Sequence, residues 1–259
     1  MTQKNNTSED SQALINHPSL KVLLPHMHIY CQKGLAALAA GEKKFPGSAL
    51  EIYASNIIER TSELDNCLSG LRLAMRFVEE LSVQRSPSPE IYRYHYENFV
   101  LRVIGCADRA HRLIGSALQI DKDRLESTSG NSIVLRYVKT NHTAIHVALK
   151  NILQIVESYR GPRNELIHNS AYSDRELMVF QNIPLLRIDT GPIDVDCLVK
   201  AHFSTEGKKI AQTIEHLFYA LTKLMNVLAP LFLTMPSYPI QVAPRKAAST
   251  NSRALQRER

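Results

Sequence analysis

The chain has 259 residues, long enough to bury a substantial core, and its 44% hydrophobic and 22% charged content is that of a globular protein rather than a disordered one. Ten glycines and no tryptophan lean away from a strand-and-turn architecture, and four widely spaced cysteines (Cys31, Cys67, Cys106, Cys197) exclude a zinc knuckle or a disulfide scaffold and point to reduced thiols in the cytoplasm. Of the net charge of +6, the stretch from Pro236 onward holds +4, so the body carries only +2, and the high pI is no sign of a basic face on the folded domain.

Residues 1–18 are polar, carry no apolar signal core and are expected to be a disordered leader. Leu20 to Ala40 is rich in Leu and Ala, is broken by Pro25 and ends at Gly41, which fits one or two short helices. Ser48 is placed to cap the next segment, in which Leu50, Ala54, Ile57, Thr61, Leu64, Leu68, Leu71, Met75 and Val78 recur at steps of four and three, the spacing that lines one helix face. Pro87 and Pro89 force a break near residue 84. A second long helix follows, with Tyr96, Phe99, Val103, Cys106, Ala110, Leu113 and Ala117 as its inner stripe and charge pairs such as Arg93/Glu97 on its wet side. The spacing predicts a third helical region from Ile133 to Tyr159, hinged near Thr140-Asn141, with Ile145, Ala148, Ile152, Val156 and Tyr159 facing inward.

From Tyr172 to Phe203 the period is lost, and Val179-Phe180 and Leu185 to Ile188 read as short extended pieces of an irregular insertion. The last helix shows Ile210, Ile214, Leu217, Leu221, Leu224, Leu228 and Leu231 in steps of four and three; its apolar stretch from Leu217 to Met235 carries Lys223, Asn226 and Pro230 and reads as a buried helix, not a membrane span. The whole is expected to be all-α: an antiparallel up-and-down bundle of four or five long helices over residues 19–235, with the insertion before the last helix and a basic disordered tail at 236–259.

Chemistry concentrates in Gly161-Pro162-Arg163-Asn164-Glu165-Leu166-Ile167-His168. Gly161-Pro162 interrupts the preceding helix, and Pro suits the first turn of a new one, where its missing N–H would have no partner anyway. Arg163 and Asn164 then lie beside free backbone N–H groups that favour an anion such as a phosphate. Five residues separate Arg163 from His168, which sets them about 140° apart around the axis. One copy therefore does not focus both side chains on one atom, whereas two copies across a two-fold axis bring each Arg toward the other chain's His. An imidazole that titrates near 6.5 can take a proton at neutral pH, and a guanidinium can hold a phosphate and offset growing charge, so the set suits RNA cleavage by the substrate's own 2′-hydroxyl, with no metal and no cofactor. The plainer reading of the same residues is a helix start and a surface ion pair of Arg163 with Glu165 or Glu157.

The Arg-polar-x-x-x-His pattern at Arg163, Asn164 and His168 resembles the signature of the HEPN superfamily of all-helical domains, which includes metal-independent ribonucleases, and Tyr96 to Arg102 is similar to an early helix of one HEPN branch. The resemblance implies an endoribonuclease that acts on RNA as a homodimer with apposed motifs, in the manner of toxins and phage-defence effectors, with room for an antitoxin or another protein partner and no role for a membrane. The alternative within the same family is a catalytically silent helical module that binds RNA, a nucleotide or a protein.

Four residues are expected to assist substrate binding: Arg102 and Arg109, seven apart, as a basic edge, and Tyr159 and Tyr172, which flank the motif, as stacking platforms. His142 and His146 have the i,i+4 spacing of a zinc pair but lack the Glu of a metalloprotease helix, and Asp189, Asp194 and Asp196 read as a solvated loop. Cys106, on the core stripe, is expected to be an inert thiol.

Overall fold

A computed structural model describes residues 13–168, 172 and 174–234. The expected leader up to residue 12 and the basic tail lie outside the described residues. In chain order the helices are α1 (Leu24–Ala39), α2 (Ala49–Val83), α3 (Pro89–Ala117), α4 (Lys122–Glu126), α5 (Gly130–Asn141), α6 (Thr143–Val156), α7 (Arg160–His168), α8 (Arg175–Leu186) and α9 (Val195–Thr234). Short 3-10 turns at Leu14–Asn16, Pro18–Leu20 and Glu157–Tyr159 complete the described secondary structure, which contains no strand among these residues. The protein is all-α, a helical bundle, as its periodicity predicts.

α2 is the spine, packed against α1, α3 and α9. It starts where Ser48 predicts: the Ser48 hydroxyl accepts from the Glu51 N–H at 3.3 Å and the Glu51 carboxylate accepts from the Ser48 N–H at 3.1 Å, so two otherwise unpaired donors are met at once. Lys33 of α1 donates to both Glu51 oxygens at 2.8 Å, tying α1 to this corner. The predicted stripe from Ala54 to Val78 is buried, with Met75 at its edge. α3 begins at Pro89 behind a Ser88 cap and buries the whole predicted stripe from Tyr96 to Ala117; Tyr92, Val100, Ala107 and Ile114 are buried as well, because α2 covers one flank and α6, α7 and α9 the other. Cys67 and Cys106 meet between α2 and α3. Cys67 donates to the Arg102 carbonyl at 3.2 Å, and the bond with Cys67 together with burial pushes the Cys106 thiol up, which keeps it unreactive.

The structure differs from expectation in two places. Residues 13–18 are not disordered: Leu14, Leu20 and Leu23 are buried, and the N–H groups of Leu14 and Ile15 donate to the Asp65 carboxylate of α2 at 2.7 and 2.8 Å. The insertion is mostly helical, since Val179, Phe180, Leu185 and Leu186 belong to α8; among its described residues, Tyr172, Asp174 and residues 187–194 lie outside a helix. Asp174 caps α8 by accepting from the Leu177 N–H at 2.6 Å, and Leu177 and Phe180, one turn apart, dock it on the core. Pro184 sits near the end of α8, which closes on Arg187 at φ 50°.

α9 likewise starts earlier than its strict period, at Val195, and extends its buried stripe through Val199, Phe203 and Gly207. It is long and apolar enough to cross a membrane by length and composition, yet Leu217, Leu221, Leu224, Leu228 and Phe232 are all buried within the bundle.

Candidate active site

The signature folds locally as its residues dictate. The 3-10 turn Glu157–Tyr159 leads into α7, with Gly161 and Pro162 in the first turn. Tyr159 fixes that start: its ring meets Phe99 edge-on at 5.3 Å and its hydroxyl lies 2.9 Å from the Thr213 hydroxyl of α9. Glu157 pairs with Arg160 at 2.8 Å. Pro162 and Leu166 form the inner side of α7, and no residue of α7 is fully buried. Six residues past its end, Asp174 caps α8; between them the Tyr172 N–H donates to Glu97 of α3 at 2.8 Å. α7 is thus a thin surface helix held at both ends by α3 and α9.

Its outward face is arranged by the helix period. Arg160, Asn164 and Ile167 run along the middle, while Arg163 and His168 stand on the two edges, about 140° apart and about 7.5 Å along the axis. The Arg163 Nη1 donates to the Asn164 carboxamide oxygen at 3.2 Å, which braces the guanidinium and leaves donors for an anion. Asn164 and His168 are exposed and Arg163 is half-buried. One subunit therefore offers a braced guanidinium and an open imidazole on the same surface without aiming them at the same point.

Of the four auxiliary residues, two lie away from α7 and two beside it are engaged in packing. Arg102 lies about 140° around α3 from Glu97, on the side that faces α2, with its guanidinium packed over Gly70. Arg109 lies on that same side and donates to the Gly105 carbonyl at 3.0 Å. Neither faces α7. Tyr159 and Tyr172 do flank the signature, but their rings pack on Phe99 and Tyr96, the latter at 4.4 Å, and the Tyr172 hydroxyl donates to Asp174 at 3.2 Å. Burial pushes both phenols up. They hold α7 in place instead of presenting open stacking faces.

No group of three or more His, Cys, Asp or Glu side chains able to hold a metal occurs among the described residues, His142 and His146 included. Asp189 accepts from the Gly191 N–H and Asp194 from the Cys197 N–H, both at 2.9 Å, so these two shape a turn and the start of α9. A cleft of about 410 Å³ opens between α2 and the α3–α4 junction; no residue of α7 lines it, and Arg60, Arg112 and Lys122 there are balanced by Glu59, Asp121 and Glu126. Asp174, which caps α8, and His202 of α9, 3.8 Å from it, carry no signal in the sequence, whereas Glu97, expected as the surface partner of Arg93, also accepts from the Tyr172 N–H.

A family model described as HEPN_Cthe2314-like HEPN matches residues 46–226, from the α2 cap to well inside α9, with the whole of α7 included. No curated protein and no solved structure matches the chain. With well over half its length in that match and an all-helical bundle, the chain belongs to the HEPN superfamily, in the HEPN_Cthe2314-like branch.

Proposed function

We propose that this HEPN protein is a metal-independent endoribonuclease whose active centre forms where the α7 faces of two subunits meet. The observation that carries the proposal is the exposed α7 face, with Arg163 on one edge braced by Asn164 and His168 on the other edge. Facing α7 helices related by a two-fold axis set the guanidinium of each subunit toward the imidazole of the other.

In the reaction, His168 takes the proton of a ribose 2′-hydroxyl, and the oxygen attacks the adjacent phosphorus. The bond to the 5′-oxygen breaks and that oxygen takes up a proton, leaving a 2′,3′-cyclic phosphate and a 5′-hydroxyl end. Arg163 holds the phosphate and balances the charge that grows on its oxygens, with Asn164 as brace and neutral donor. A placed base of this kind contributes about 10²–10⁴-fold. The nucleophile belongs to the substrate, so DNA is not cut.

The surface of α8 supports the two-subunit form. Leu177 and Phe180 face the core, yet Met178, Val179, Leu185 and Leu186 on the opposite side are also apolar and exposed, followed by Ile188 and Ile193. Exposed apolar patches of this kind mark association surfaces.

A second reading, a silent helical module that binds RNA, a nucleotide or a protein through the same face, draws on the divergence of Arg163 and His168 within one subunit. Purified protein incubated with RNA and a chelator, beside His168→Ala, separates the two. Cleavage by the wild type that the variant lacks, with DNA intact, supports the nuclease; identical products from both proteins overturn it.

A further inference from the structure

A cavity opens at the start of α7, where α3, α5 and α6 converge on Arg160. It holds about 250 Å³, below the roughly 300–1,000 Å³ of sites for drug-sized ligands and on the scale of one flat ring system. Ile104, Leu135 and Leu153 give it apolar walls, while His111, Asp108 and Arg160 supply hydrogen bonding and charge. His111 is only 4% exposed, yet one of its nitrogens is left over. The Nδ1 lies 2.8 Å from the Ala107 carbonyl, which can only accept, so Nδ1 carries the proton and the Nε2 of the neutral ring keeps a lone pair. Burial pushes the pKa of the ring down, which keeps it neutral. The Nε2 has no hydrogen-bond partner among the described residues. Buried polar groups are normally paired, so a donor placed in this cavity would complete the bonding of the ring.

The polar groups select what fits. Asp108 stands one turn before His111 on the same face of α3, and its Oδ1 accepts from the Asn131 Nδ2 at 2.7 Å, which leaves Oδ2 as a second open acceptor. Arg160 gives its Nε to Glu157 at 2.8 Å and keeps the rest of its guanidinium for an anion. An occupant therefore needs a flat apolar body, two donors at its inner edge and a negative group toward Arg160. The 6-amino group of adenine carries two N–H donors, one for each acceptor, and the two rings match the apolar walls. The oxygen that hypoxanthine has in place of that amino group would set acceptor against acceptor. Unpaired bases of single-stranded RNA are read on that edge.

We infer that this cavity is a base-specificity subsite that takes an adenine of an RNA strand, with His111 and Asp108 reading its amino group and Arg160 holding the adjoining phosphate. The inference rests on the ribonuclease reading for its link to cleavage but not for binding itself. Arg160 and Arg163 are three residues apart on α7, about 4.5 Å along its axis, so a base seated here belongs to a nucleotide beside the phosphate held at Arg163.

The test is calorimetric titration of the full chain with adenosine monophosphate and, separately, inosine monophosphate, beside His111→Phe and Asp108→Asn, with circular dichroism melts to show that each variant folds. Asp108 is only half-buried, so Asp108→Asn keeps the test open should His111→Phe fail to fold. Saturable binding of the adenine nucleotide, at least about tenfold tighter than the inosine nucleotide and weakened about tenfold or more in each folded variant, is the expected result. Equal affinity for the two nucleotides, no binding of either, or adenine binding unchanged in a folded variant overturns the subsite, leaving a water-filled cavity. Cleavage-site mapping on a mixed-sequence RNA keeps the two claims apart. Adenine binding without any cleavage retains the pocket and defeats the nuclease; cleavage at all bases alike retains the nuclease and overturns the subsite.

Discussion

α3 and α7 touch along the bundle and are built on opposite plans. α3 spans Pro89–Ala117 and buries aromatic and aliphatic side chains on two flanks, from Tyr92 through Phe99 to Ala117. α7 spans Arg160–His168, buries no residue fully and is held by its ends, through Tyr159 to α9 and through Tyr172 to Glu97 of α3. Stability resides in the first and the candidate chemistry in the second. A surface helix with few core contacts can carry Arg163, Asn164 and His168 because none of them is needed to hold the fold.

The contrast breaks most visibly under paired truncations. Phe99→Ala removes a fully buried ring and is expected to cost about 3–5 kcal/mol in urea unfolding. Arg163→Ala is expected to leave unfolding within about 0.5 kcal/mol of the wild type while lowering RNA cleavage by about 10²–10³-fold. A large stability loss from Arg163→Ala would show that α7 is structural after all. Next in size is Asp65→Ala, which strips the acceptors of two backbone N–H groups at Leu14 and Ile15; about 1–3 kcal/mol is expected, with protease sensitivity gained before residue 24.

A smaller effect concerns pH. The hydrogen bond from Lys33, helped by the Ser48 N–H, holds the Glu51 carboxyl below its usual range. Its folded value lies under its unfolded one, so the stabilisation is present above the ordinary carboxylate range of about 4 and is lost as pH falls through the lowered folded value. The melting-temperature gap between wild type and Glu51→Gln should therefore be open at neutral pH and close in acid; a gap that persists unchanged at the lowest pH would contradict the pairing. Smallest of all, Arg102→Ala should leave cleavage within about twofold, since that guanidinium packs against α2, away from α7.

The stripes of α2, α3 and the core half of α9 were legible because each buried position repeats at helical spacing, and Ser48 and Pro89 mark their starts. α8 was not: its two docking residues, Leu177 and Phe180, are too few to set a period, exposed apolar residues surround them, and Pro184 inside the helix mimics a loop. Arg163, Asn164 and His168 could be found from sequence because six consecutive positions contain them. Spacing put Arg102 and Arg109 on one face of α3 but could not say that this face meets α2.

Mixing two inactive variants tests the shared centre most directly. Arg163→Ala and His168→Ala proteins, each purified, are combined, allowed to exchange subunits and assayed on RNA. A centre that takes its guanidinium from one subunit and its imidazole from the other leaves one intact site in each mixed dimer, so about a quarter of wild-type cleavage should return on random exchange. Cleavage no higher than that of either variant alone, with exchange verified by mass, would contradict the shared centre.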